Sequence, residues 1–121
     1  MNLVINILIG LIAFIHVYIL IFEMFMWESR GPKVFRNFPK DLFPKTKALA
    51  ANQGLYNGFL AAGLIWSLLI DDPQWQQNVA MFFLGCVAVA GIYGTLTADR
   101  KILFIQALPA LIALGLILVS S

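Results

Sequence analysis

Residues 3–22 read LVINILIGLIAFIHVYILIF, twenty residues without a charged side chain. A helix needs roughly 20 apolar residues to cross about 30 Å of hydrocarbon, so this stretch is long enough to span a bilayer. Three more uncharged runs follow, residues 48–70, 78–98 and 102–121, of 23, 21 and 20 residues. Together the four runs occupy most of the 121-residue chain. The runs lack the alternating pattern of a lipid-facing barrel strand and are about twice its length. Helices satisfy their own backbone groups, which lipid cannot do. The predicted fold is therefore all-α, an integral membrane four-helix bundle forming one domain over 1–121. Helices are expected at about 3–27, 47–70, 78–98 and 102–121, with a long basic loop over 28–46.

Composition agrees. The chain is 61% hydrophobic and 12% charged, with a mean hydropathy of +0.88, against about 25% charge in a soluble domain. A chain this apolar cannot hide its surface in a core of its own size, since small domains bury only about 60–70% of theirs. A disordered chain, a nucleic-acid binder and a disulfide scaffold are excluded on these grounds.

Charge placement predicts orientation. All eight basic residues lie in two connections: Arg30, Lys33, Arg36, Lys40, Lys45 and Lys47 in one, Arg100 and Lys101 in the other. The connection between the second and third runs carries Asp71 and Asp72 and no base. Positive loops stay cytoplasmic, so an up-down-up-down serpentine with both termini outside is expected. A cleaved signal peptide would need a positive start and a small-residue cleavage site, and neither is present. The expected location is a bacterial inner (plasma) membrane, multi-pass. The bases of the long loop are expected to meet anionic headgroups at about 1 kcal/mol each, with Phe35, Phe38 and Phe43 dipping into the interface. Trp27, Trp66 and Trp75 fall near the boundaries, as interfacial tryptophans do.

Polar residues inside the runs are the candidate site. His16, Glu23 and Trp27 share one stripe at helical spacing. The second run opens with Ala50-Ala51-Asn52-Gln53-Gly54-Leu55-Tyr56-Asn57-Gly58. If Trp27 and Thr46 mark the cytoplasmic boundaries, His16 and Asn57 each lie eleven residues inside. Gln106 has a comparable depth. Ionisable groups in a bilayer cost about 2.5–3.5 kcal/mol each on insertion scales and turn inward to partners. The candidate ligand-binding set is thus His16, Glu23, Trp27, Asn52, Gln53, Asn57 and Gln106. The bland alternative is interhelical hydrogen bonding at about 0.6 kcal/mol per contact, and for Glu23 also a reach to Arg30 or Lys47 at the interface.

Two ridges of small residues, Ala50-Gly54-Gly58-Ala62 and Cys86-Ala90-Gly94-Ala98, are expected to let helices pack closely within one chain, or less readily in a homodimer. Pro109 should kink the last helix. Cys86, the lone cysteine, reads as a buried and inert thiol. No phosphate loop, nucleophile elbow, HExxH or CxxC motif occurs, so no metal site or cofactor is expected.

The motifs His16-x-Tyr18, Glu23-Met24-Phe25-x-Trp27 and Ala51-Asn52-Gln53-Gly54-Leu55-Tyr56-Asn57-Gly58 resemble the domain-of-unknown-function 1304 family of small bacterial membrane proteins. The resemblance covers nearly all of the chain and implies a four-helix membrane protein, but no reaction. The functional expectation is a protein that binds or transports a small molecule or proton-coupled cation through the intramembrane polar cluster. The alternatives are an intramembrane enzyme using His16 and Glu23 as an acid–base pair on a lipid-like substrate, or an accessory membrane subunit.

Overall fold

The structure, a computed structural model, describes residues 1–120; Ser121, the expected end of the last helix, lies outside the described residues. It is all-α, with no strand among the described residues. The elements are α1 (Leu3–Phe25), α2 (Trp27–Val34), α3 (Leu42–Lys45), α4 (Lys47–Leu69), α5 (Pro73–Thr97), a π-helical turn (Leu103–Ala107) and α6 (Leu108–Ser120). Three segments are long and apolar enough to cross a membrane: Leu3–Phe25, Pro73–Thr97 and Leu103–Ser120. The 23-residue α4 matches them in length but falls short in apolarity. Its carboxamides Asn52, Gln53 and Asn57 make the difference.

The chain forms two compact units, one of Met1–Ile15 with Leu60 onward, the other of His16–Phe59. In the first, Ile5, Ile9 and Ile12 of α1 recur at i, i+4 and i+7 and are buried with Leu64, with Ala80, Leu84, Val87 and Ala88 of α5, and with Ala110, Ala113 and Ile117 of α6. Helix starts follow their caps. The Asn2 side chain accepts from the Ile5 N–H at 2.9 Å. Asp72 accepts from the Trp75 N–H at 2.9 Å, and Pro73 occupies the first helical position. That cap and proline start α5 five residues before the expected residue 78, because the Asp72 carboxylate accepts from one orphan N–H and Pro73 has no N–H to leave unpaired.

The buried ridge of α5 is Ala80-Leu84-Val87-Ala88-Gly91, not the expected Cys86-Ala90-Gly94-Ala98. Ala90 and Ala98 are exposed and Cys86 is half-exposed, so the thiol is not buried. It lines an open apolar groove with Met81, Phe82, Gly85, Val89, Ala90 and Tyr93. Leu84 and Val87 supply most of the apolar area this face buries, while Ala80, Ala88 and Gly91 keep it small enough for close packing. At Gly91 an added Cβ would stand 2.6 Å from the Ala107 amide nitrogen. Here the α5 backbone lies directly against the π-helical turn.

Pro109 acts on the turn before it rather than by a simple bend. The Leu108 N–H bonds to the Leu103 carbonyl, five residues back. A proline lacks the N–H for its own helical bond, and its ring crowds the carbonyl four residues earlier. That carbonyl belongs to Ile105, inside the widened turn.

In the second unit α1 ends at Phe25 instead of running to residue 27. Met26 leaves helical geometry (φ −122°, ψ 10°), although its N–H still reaches the Phe22 carbonyl at 2.9 Å. Trp27 therefore leaves the α1 stripe and heads α2. The expected loop over 28–46 holds two short helices around an aromatic cluster. Trp27 stands 5.0 Å from Phe43, 5.8 Å from Phe35 and 6.1 Å from Phe38 between ring centroids. Phe43 is 1% exposed and rests on Gly31, where any side chain would meet its ring. These rings pack on one another, and offset and edge contacts add about 0.5–1.5 kcal/mol per pair beyond burial. The bases stay outside: Arg30, Lys33, Arg36, Lys40, Lys45 and Lys47 are all exposed.

Candidate functional site

The polar centre of the second unit is Glu23 of α1 and Asn57 of α4. The Asn57 Nδ2 donates to Glu23 Oε1 at 2.8 Å and to the Gln53 main-chain carbonyl at 3.1 Å. Both of its amide hydrogens are thereby used. Each residue is 8% exposed. Glu23 Oε2 makes no hydrogen bond among the described residues, so the carboxyl group keeps one oxygen for another partner.

Two glycines bring the pair together. At Gly54 an added Cβ would lie 3.0 Å from the Glu23 Cβ, 3.0 Å from the Met24 Cγ and 3.1 Å from the Leu20 carbonyl oxygen. At Gly58 it would meet the Leu20 side chain. Small residues four apart thus seat α1 close enough for side chains as short as Glu and Asn to meet, as the Ala50-Gly54-Gly58 part of the expected ridge implies. Ala62, the last member of that ridge, is exposed.

His16 is fully enclosed, with 0% exposure. It lies on the same face of α1 as Glu23, two turns earlier, about 10 Å along the axis.

The other candidates go elsewhere. Asn52 and Gln53 have exposed side chains. Depth along α4 suggested a shared cluster, but azimuth separates them: five residues at about 100° each turn Asn52 some 140° from Asn57. Gln53 contributes its carbonyl instead of its carboxamide. Trp27 belongs to the aromatic cluster, where its Nε1 donates to Thr46 Oγ1 at 3.0 Å. Thr46 in turn donates to the Leu42 carbonyl at 2.7 Å. Gln106 is half-buried in the π-helical turn of the first unit. Glu23 does not reach Lys47, which pairs with Glu28 at 3.2 Å on the surface.

Sequence reasoning missed three polar positions. Thr46 entered only as a boundary marker, and nothing signalled its bond to Trp27. Ser67 is fully buried and donates to the Leu64 carbonyl. Asn6 buries its Oδ1 without a hydrogen-bond partner, and its polarity within residues 3–22 was the available clue. No group of three or more His, Cys, Asp or Glu side chains that could hold a metal occurs among the described residues.

Comparison with known proteins finds a relative that has no assigned activity. An uncharacterized protein, YpaA of Lactococcus lactis subsp. lactis (strain IL1403), is 29% identical over 106 residues, covering 86% of this chain and 87% of that one. No solved structure matches. Residues 10–118 match the family model described as protein of unknown function (DUF1304), and this chain belongs to that family.

Proposed function

We propose that this is a four-pass membrane protein that binds and moves a proton or small cation at Glu23. The observation that carries this reading is the buried 2.8 Å hydrogen bond between Asn57 and Glu23. A carboxyl group inside a membrane-spanning helix is costly, and such groups typically mark ion or substrate pathways. As helix glue alone, a second carboxamide would serve at lower cost. Asn57 fixes Oε1 and leaves Oε2 to bind the cargo. His16, farther along the same face, relays the proton or orients the ligand. In this reading α4 is the fourth span, both termini lie outside, and the exposed bases of the long connection sit among anionic headgroups, each adding about 1 kcal/mol.

The test is proton flux. The protein is reconstituted into phosphatidylcholine and phosphatidylglycerol vesicles holding a trapped pH-sensitive dye. An inside-negative potassium diffusion potential is then imposed. Wild type should acidify the lumen, and Glu23→Gln, which keeps an acceptor for Asn57, should not. Equal acidification by both proteins removes Glu23 from the pathway. No acidification by wild type contradicts the proton reading.

A further inference from the structure

We infer that the outer face of α4 is a self-association surface, and that Asn52 pairs with Asn52 of a second copy of this chain. Ala48, Asn52, Leu55 and Phe59 recur at i, i+4, i+7 and i+11, and all four are exposed. At about 100° per residue they fall within an arc of about 60°, the narrow seam of a two-helix coiled contact. The opposite side of α4 is already used: Ala50, Gly54 and Asn57 are buried. The Asn52 side chain has no hydrogen-bond partner among the described residues, about five positions inside the helix from Lys47.

The chemistry selects the occupant. This rests on α4 being the fourth span, as in the proposed function: acyl chains there offer a carboxamide neither donor nor acceptor. A carboxamide carries both, so two of them facing each other across a two-fold axis satisfy each other. Copies inserted in the same orientation place Asn52 at the same depth, and an axis along the membrane normal brings the two together. Closed two-fold contacts are isologous, the same patch used by both copies, and a residue lying on the axis meets its own counterpart. One polar residue in an otherwise apolar seam also fixes register. The flanking Leu55 and Phe59, 41% and 56% exposed, supply the apolar part of the contact.

Cysteine scanning in native membranes tests this. In a Cys86→Ser background, single cysteines at 48, 52, 55 and 59 should give oxidant-induced disulfide dimers. Cysteines at the exposed off-seam positions Leu49 and Gln53 should give several-fold less. In detergent, Asn52→Leu should weaken the dimer roughly eightfold, the loss of two interhelical hydrogen bonds, and Asn52→Gln should restore most of it. The inference is overturned by cross-linking that peaks at Leu49 and Gln53 or has no periodicity. A monomer at all concentrations, or a dissociation constant unchanged in Asn52→Leu, overturns it equally. The outcome is independent of proton flux, which reads Glu23.

Discussion

Gly54→Ala should loosen the α1–α4 contact and with it the Glu23–Asn57 bond. The new methyl would stand 3.0 Å from two carbons of Glu23 and Met24 and 3.1 Å from the Leu20 carbonyl oxygen. Carbon pairs rest at about 3.5–4.0 Å, so relief requires a separation of a few tenths of an ångström. The Leu20 oxygen belongs to the main chain, so it cannot rotate aside and the helices must part. That movement takes the hydrogen bond from 2.8 Å to about 3.2 Å, the long end of the useful range for N–H···O. Overpacking costs about 1–3 kcal/mol, and the lost interhelical contact about 0.6 kcal/mol. Alanine returns up to about 1 kcal/mol over glycine in helix propensity. The net expectation is a destabilisation of about 0.5–2.5 kcal/mol. Reversible unfolding in mixed micelles, followed by circular dichroism, reads it directly. In an Asn57→Leu background the penalty should shrink by about 0.6 kcal/mol, because that bond is already gone. A Gly54→Ala protein as stable as wild type, or more stable, would refute the close-approach reasoning.

Gly91→Ala should cost more than Gly54→Ala in the same unfolding assay, about 3 kcal/mol or above, because the methyl meets the Ala107 backbone at 2.6 Å and overpacking against main chain has no side-chain escape. Phe43→Ala should cost about 3–5 kcal/mol through the cavity left beneath Trp27, read as a fall in the unfolding midpoint. Trp27→Phe and Thr46→Val should each cost about 0.5–1.5 kcal/mol, and a double-mutant cycle should show them non-additive, since they share the 3.0 Å bond.

The all-α class was legible because twenty uncharged residues at 3–22 admit few other readings. Glu23 and Asn57 were legible as members of one polar set, but their pairing was not: depth from the Trp27 and Thr46 ends sets Asn57 level with His16, whereas its side chain reaches back to Glu23. Depth alone could not sort Asn52 from Asn57. Only the azimuth of the packed face does that, and it is set by Gly54 and Gly58 against Leu20. The break at Met26 was hidden because its cause is distant in sequence: Phe43 draws Trp27 out of the α1 stripe from sixteen residues away. The widened turn before Pro109 was half legible. Proline announced a disturbance, but its form depends on the close backbone contact that Gly91 allows at Ala107.

The central claim is that the Glu23 carboxyl group of α1 is held by Asn57 of α4. Solid-state NMR on the protein in bilayers measures this directly, through the dipolar coupling between a ¹³C-labelled Glu23 carboxyl and a ¹⁵N-labelled Asn57 side chain. The account predicts a strong coupling, matching the 2.8 Å contact between Oε1 and Nδ2 and abolished by Gly54→Leu. Absence of that coupling in the wild-type protein would contradict it.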